Sequence, residues 1–307
     1  MAAAWQGVFP ALVTPMTAEE EIDCKTLSKF IDHLIEEGGV HGVIPLGSTG
    51  EYYALTTEER HLVVETTLEA VGGRVPVVVG CNAAATREVI EHCRYAEQSG
   101  ASGVLLPAPY YSLPSHDELF EHYRAVDRAI GVPIMLYNYP GRTGVDMTPE
   151  LIRRLAQLDQ VQYVKESSGD VTRVSQIMRL CGDQITVFCG CDNEALEHFA
   201  LGAQGWVGGA VNFLPEAHVR LFELMVGQQD LAAARSLYYT LLPVLCTLEA
   251  GGKYTQYVKA CCGLQGHPVG PPRKPLLPPS PSELEELRGA LEQFNAAWTA
   301  SHRVVTS

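Results

Sequence analysis

A (β/α)₈ barrel with a C-terminal helical region is the fold class this sequence predicts, on three observations. Eight short apolar runs recur up to about residue 210, amphipathic segments with capping signals separate them, and the strand pattern stops after residue 215. Parallel strands covered on both faces read as near-continuous Val, Ile and Leu runs. Strands alternating with helices build layered or closed α/β folds. A doubly wound open sheet is the competing topology.

The runs are VFPALVT (8–14), HGVIPL (41–46), VPVVVG (75–80), SGVLLP (102–107), VPIMLY (132–137), VQYVK (161–165), ITVFCG (185–190) and GWVGG (205–209). Between the first two, Leu27, Phe30, Ile31, Leu34 and Ile35 share a helical face, with Asp23 as N-cap and Gly38 as stop. Thr56 and Glu59 form a capping-box pattern ahead of Leu62, Val63 and Leu68. Thr86 is expected to cap the segment ending at Gly100, Ser115 or Asp117 to start the next, and Thr148-Pro149 to open another. Residues 215–228, 230–248 and 253–263 read as helices, GHPVGPPRKPLLPPSP as an extended connector, and 282–298 as a last helix. The expected organisation is a barrel over 1–215 and a helical appendage over 216–307, forming one structural unit.

The formal net charge of −14 argues against nucleic acid or an anionic membrane as the main partner. No run of 18 uninterrupted apolar residues occurs, so no transmembrane helix is expected. The N-terminus lacks a basic region and runs into Pro10 and Pro15, which argues against a signal peptide. Nine cysteines show no disulfide rhythm, as expected of free thiols in a reducing cytoplasm. Cys189-x-Cys191 and Cys261-Cys262 lack zinc-site spacing, and no HExxH occurs, so no metal is expected.

In such barrels the loops after the strands converge on one rim. Polar residues ending the runs therefore share a site: Gly47-Ser48-Thr49-Gly50-Glu51, Tyr110-Tyr111, Tyr137-Asn138, Lys165-Glu166-Ser167-Ser168 and Cys191-Asp192-Asn193. Lys165 is the decisive one. Of six lysines it alone ends such a run, and alternation would place it on one face with Tyr163 and Val161. Lost hydration lowers a lysine pKa, and a neutral amine attacks a ketone to give an iminium. Tyr137, ending the preceding run, could pass protons to and from that centre. The Gly47–Gly50 stretch, with its hydroxyls and free backbone N–H groups, suits a small carboxylate. Glu51 reads as structural, tying down its loop. Arg142, in a Pro-Gly-Arg-Thr-Gly turn, is suited to a second carboxylate.

GVFPALVTPM, GSTGE, PAPYY, YNYPGRTG and VKESSGD, at these spacings, resemble the dihydrodipicolinate synthase / N-acetylneuraminate lyase family of class I Schiff-base aldolases, over nearly the whole chain. PGRTG places the sequence on the synthase-like side. The resemblance implies a barrel with C-terminal helices, a homotetramer built as a dimer of dimers, and no metal or organic cofactor. It implies Lys165 as the Schiff-base lysine and Tyr137 as the proton-transfer phenol. Ser48 would link Tyr137 to a second tyrosine, Tyr111, which reaches a neighbouring subunit's site. Thr49 would meet the pyruvate carboxylate and Arg142 that of an aldehyde substrate. Gly47, Gly50 and Gly208 complete the expected substrate contacts. The sequence departs from the synthase pattern at Ser48, where a threonine is usual, and in the bulky Tyr52-Tyr53 that follows the loop. The implied activity is condensation of pyruvate, or a related 2-oxo acid, with an aldehyde such as aspartate semialdehyde. Related activities stay open: deamination of a hydroxylated pyrroline carboxylate, aldol cleavage or dehydration of 2-keto-3-deoxy sugar acids, or an idle binding paralogue.

Overall fold

The computed structural model describes residues 5–303, with side chains through residue 300. The signal-peptide reading thus falls, over residues 1–4, outside the described residues. Seven strands form one sheet: β1 (Gly7–Pro10), β2 (Val78–Gly80), β3 (Gly103–Pro107), β4 (Ile134–Asn138), β5 (Val161–Glu166), β6 (Thr186–Cys189) and β7 (Gly205–Gly208). Their order is β1-β7-β6-β5-β4-β3-β2 and every pairing is parallel. Helices cover the outside, as parallel strands require.

The run at 41–46 is not a regular strand, unlike the expectation. It nevertheless touches both edges of the sheet, through parallel bridges of Ile44 with Ala11 and Val43 with Val77. His41 N–H donates to Val8 C=O, Leu12 N–H to Ile44 C=O, Val78 N–H to Val43 C=O and Gly80 N–H to Pro45 C=O, at 2.9–3.0 Å. Pro45 has no N–H to continue the ladder, and the chain turns immediately after it.

Side chains divide into two apolar clusters. A small inner one, with Phe9, Ile44, Val78, Leu105, Met135, Tyr137, Tyr163, Phe188 and Val207, takes residues from every strand and from the 41–46 segment. Phe9 and Phe188 meet edge-on at 5.5 Å, each worth roughly 2–3 kcal/mol in buried area. A side chain at Gly205 would overlap the Phe188 ring, so glycine is needed for that packing. Trp5 stacks on Tyr163 at 4.3 Å. The larger outer cluster lies between the strands and the helices. Val161 belongs to the outer cluster and not beside Tyr163, a correction to simple alternation. The β4–β5 register shifts there, pairing Ile134 with Val161 but Met135 with Tyr163, so Gln162 is skipped.

Asp23 accepts from Thr26 N–H as N-cap, Thr56 with Glu59 and Ser115 with Glu118 form capping boxes, and Thr148 caps with Pro149 as the first helical residue. Thr86 does not cap. The N-cap there is Ala85, and the Thr86 hydroxyl is instead 2.9 Å from His122 Nδ1. The Pro-Gly-Arg-Thr segment is a one-turn helix, Pro140–Thr143, closed by Gly144 at φ 73°.

After β7 the chain is helical, with long helices Leu231–Ala250, Tyr254–Leu264 and Pro281–Arg303. Leu231–Ala250 is long and apolar enough to cross a membrane by length and composition alone. Here its Ala234, Tyr238, Leu241, Val244, Leu245 and Leu248 are buried in the protein.

Candidate active site

The strands end together, and the residues at or just beyond their carboxyl ends line a cavity of about 250 Å³. Tyr137 closes on it from β4, Lys165 from β5, Gly190 and Cys191 from beyond β6, and Ser48 and Thr49 from the loop after the 41–46 segment. Residues more than a hundred positions apart in sequence thus become spatial neighbours, because each parallel strand points the same way.

Lys165 is buried, at 5% exposure, and its Nζ stands 4.1 Å from the centre of the Tyr137 ring. Among the described residues no carboxylate lies within ion-pair distance of it. Burial is the main cause that lowers its pKa to about 8; Asp192, the next contributor, pulls the other way. A minor share of neutral amine at physiological pH follows, far more than an ordinary lysine offers. Gly190 makes room for it: a Cβ there would overlap the Ser167 hydroxyl and come within 2.9 Å of Lys165 Cγ and Cε.

Asp192 is fully buried, close enough to the amine to act on it electrostatically, and ties together the backbone around the cavity. It accepts from Trp206 Nε1 at 2.9 Å, from Ala210 N–H at 3.1 Å and from the Tyr254 hydroxyl. With its oxygens so engaged, it acts on Lys165 as a fixed charge at a distance rather than as a partner. Glu166, next to the lysine, points into its own cage of Asn138 Nδ2 (3.0 Å) and Ser168 N–H (2.7 Å).

Burial raises the Tyr137 phenol well above its ordinary range, and the Ser48 hydroxyl is a hydrogen-bond partner to it. The phenol therefore stays protonated and is available as a proton donor. Arg142 lines the same cavity from its rim, with its guanidinium 5.6 Å from the centre of the Tyr139 ring.

Not every expected residue is here. Tyr111 is 95% exposed with φ 77° and does not line this chain's own cavity. Gly47, Gly50 and Gly208 are also absent from the lining. Gly50 C=O accepts from the Thr14 hydroxyl at 2.7 Å, Gly47 C=O receives Gly50 N–H at 3.0 Å, and a side chain at Gly208 would collide with Asp192. These glycines shape the backbone around the cavity. Sequence reasoning missed Tyr139, Glu249, Tyr254 and Thr255, all of which line it. Glu249 carried a signal: an acidic residue in the last turn of an apolar helix faces the negative end of the helix dipole, an unfavourable place without a local purpose.

A parallel α/β sheet with a polar cavity at the carboxyl ends of its strands defines the class of protein. The chain belongs to the dihydrodipicolinate synthetase family, whose model matches residues 4–294. It is 36% identical over 290 residues to a 4-hydroxy-tetrahydrodipicolinate synthase of Oceanobacillus iheyensis, covering 94% of this chain and 96% of that one. The 4-hydroxy-tetrahydrodipicolinate synthase of Methylacidiphilum fumariolicum SolV superposes with a TM-score of 0.93 at 32% identity, covering 98% of this chain and 99% of that one. A dihydrodipicolinate synthase of Acinetobacter baumannii, solved with pyruvate, superposes at 0.89 and 31% identity, covering 94% and 99%.

Proposed function

We propose that this protein condenses pyruvate with an aldehyde acid through a Schiff base on Lys165, as a 4-hydroxy-tetrahydrodipicolinate synthase-like enzyme. The observation that carries this reading is the buried, unpaired Lys165 amine facing the Tyr137 ring inside a polar cavity. The amine adds to C2 of pyruvate, and loss of water gives the iminium. The iminium acidifies C3, whose proton passes to water in the cavity as the electron pair moves toward nitrogen, and the resulting enamine carbon attacks the aldehyde, forming the new C–C bond. Water then cleaves the iminium and restores the amine. Tyr137 delivers and removes protons at the carbinolamine and aldehyde oxygens. Thr49, with the backbone of its loop, holds the pyruvate carboxylate, and Arg142 holds that of the aldehyde. Pyruvate in the relative from Acinetobacter baumannii supports the choice of 2-oxo acid.

The same reading takes the sheet plus the 41–46 segment as a closed eight-stave (β/α)₈ barrel spanning 1–215, with 216–307 a helical appendage of one unit. It assigns the exposed Tyr111 to the pocket of a neighbour in a homotetramer, where the partner subunit's Tyr111 would complete the relay through Ser48. It places the enzyme in the cytoplasm. The direct test is borohydride reduction in the presence of pyruvate, followed by peptide mass analysis. A mass increment on the peptide bearing Lys165 is expected. An unmodified Lys165 under conditions that trap a known Schiff-base aldolase would overturn the reading. Consumption of aspartate semialdehyde, without ammonia release from a hydroxylated pyrroline carboxylate, separates synthase from deaminase.

A further inference from the structure

Arg142 and Glu249 line one cavity of about 250 Å³, bear opposite formal charges, and do not pair with each other. Arg142 leans on Tyr139 from the rim. Glu249 comes from the far side of the chain, in the last turn of Leu231–Ala250, held by Asp192 N–H at 3.3 Å. That bond engages one carboxyl oxygen. The other has no hydrogen-bond partner among the described residues.

We propose that Glu249 is a specificity-determining residue for the second substrate, binding a hydrogen-bond donor, an ammonium or a hydroxyl, on an aldehyde acid whose carboxylate sits on Arg142. This rests on the condensation described above and adds to it the chemistry of the acceptor. Three features of the site agree. The helix dipole, burial and the neighbouring Asp192 and Glu194 disfavour a carboxylate here and outweigh the Asp192 N–H and Lys165, which favour it, so the position gains from a further donor. Burial, then Asp192, raises the Glu249 pKa to about 7, so a cationic or hydroxyl donor would both gain from it and draw it back to the ionised form. The two nearby acids are already directed elsewhere: Asp192 is consumed by Trp206, Ala210 and Tyr254, and Glu194, which also lines the cavity, has one oxygen 3.3 Å from His198 Nε2. A site whose partly buried acceptor is left empty rejects the analogue lacking the donor more strongly than a merely apolar pocket would.

The test uses three acceptors that share aldehyde and carboxylate: 2-amino-4-oxobutanoate, 2-hydroxy-4-oxobutanoate and unsubstituted 4-oxobutanoate. With the wild-type protein and saturating pyruvate, kcat/KM for the better substituted acceptor should exceed that for the unsubstituted one by about 10²-fold or more. Glu249→Leu should bring that ratio near one, mainly through a higher KM for the substituted acceptor. Glu249→Gln separates the donors: it should spare a hydroxyl preference and abolish an ammonium preference. Borohydride trapping of pyruvate on Lys165 is run on every variant and should still label Lys165, since the amine itself is retained. Equal preference in wild type and Glu249→Leu, with trapping intact, overturns the role of Glu249 alone. Absence of a pyruvate adduct in the wild type overturns the condensation itself, and this proposal with it.

Discussion

Two lysines are buried in this chain to nearly the same depth, Lys165 at 5% and Lys259 at 3% exposure, and their surroundings are opposite. Lys259 Nζ donates to Glu51 Oε1 and to Pro271 C=O, both at 2.7 Å, and Glu51 Oε2 takes Arg273 N–H at 2.7 Å. Arg273 in turn reaches Glu59 and Ala54 C=O, so the network clips the loop after the 41–46 segment to the Pro-rich connector. Lys165 has no such partner and faces an aromatic ring and a cavity. Burial lowers both pKa values, more than Glu51 restores at Lys259. Depth alone therefore does not mark a reactive amine. What marks it is burial without satisfaction, which a fold tolerates where the unpaired group has work to do.

The comparison breaks most sharply if both lysines are replaced by methionine and activity is read. Lys165→Met should abolish the borohydride adduct and lower turnover by about 10⁴–10⁶-fold, the scale of losing a nucleophile. Lys259→Met should still form the adduct. Tyr137→Phe comes next: adduct formation should persist but turnover should fall by about 10²–10⁴-fold. Near-normal turnover in that variant would remove Tyr137 from the proton relay.

The half of this contrast that lies on the strands was legible in the sequence. Lys165 and Tyr137 end apolar runs, and parallel strands carry such ends to one rim. Glu51 could be read as structural because a carboxylate inside a Gly-rich loop has little else to do than tie it down, and it does so. The Lys259 partner was not legible, since the pair is separated by 208 positions and joined only by tertiary folding. Glu249, Tyr254 and Thr255 were missed for a similar reason: they lie past residue 215, where the periodic signal speaks of helices and says nothing of which face closes over the rim. The run at 41–46 looked like a strand because its apolar pattern is right. Pro45 then cut the ladder to two bridges, a backbone effect that hydrophobicity does not register.

On stability the two lysines should differ in sign. Lys259→Met leaves the Glu51 carboxylate, wholly buried, without its ammonium, and should destabilise the protein by about 3–5 kcal/mol in denaturant unfolding. Restoring stability with a second change, Glu51→Gln, would show that the loss came from the orphaned charge and not from lost packing. Arg142→Ala stands between the extremes, being a rim residue with one ring contact. It should leave pyruvate trapping intact and raise KM for a carboxylate-bearing acceptor by about 10–100-fold, the usual worth of a hydrogen bond to a charged group. An unchanged KM for every carboxylate acceptor would reject its role.

Lys165→Met should go the other way and stabilise the fold. A fall in pKa from 10.5 to about 8 sets a ceiling of about 3 kcal/mol on the penalty for holding the ammonium in this site. About 1–2 kcal/mol is expected in practice, since water entering the cavity solvates part of the charge. The sign of the pH dependence follows from the direction of the shift. Below pH 8 the lysine is charged in both folded and unfolded chains, and the folded chain bears the full penalty. Between about 8 and 10.5 the folded chain has released its proton while the unfolded one retains it, so wild-type stability rises with pH across that window. The gap between variant and wild type should therefore be widest below pH 8 and close as pH climbs toward 10.5, while the rate of pyruvate adduct formation climbs through pH 8 as the free amine appears. A gap that stayed constant with pH would mean that Lys165 is not held against its charge, and the difference from Lys259 would then lie in partners alone.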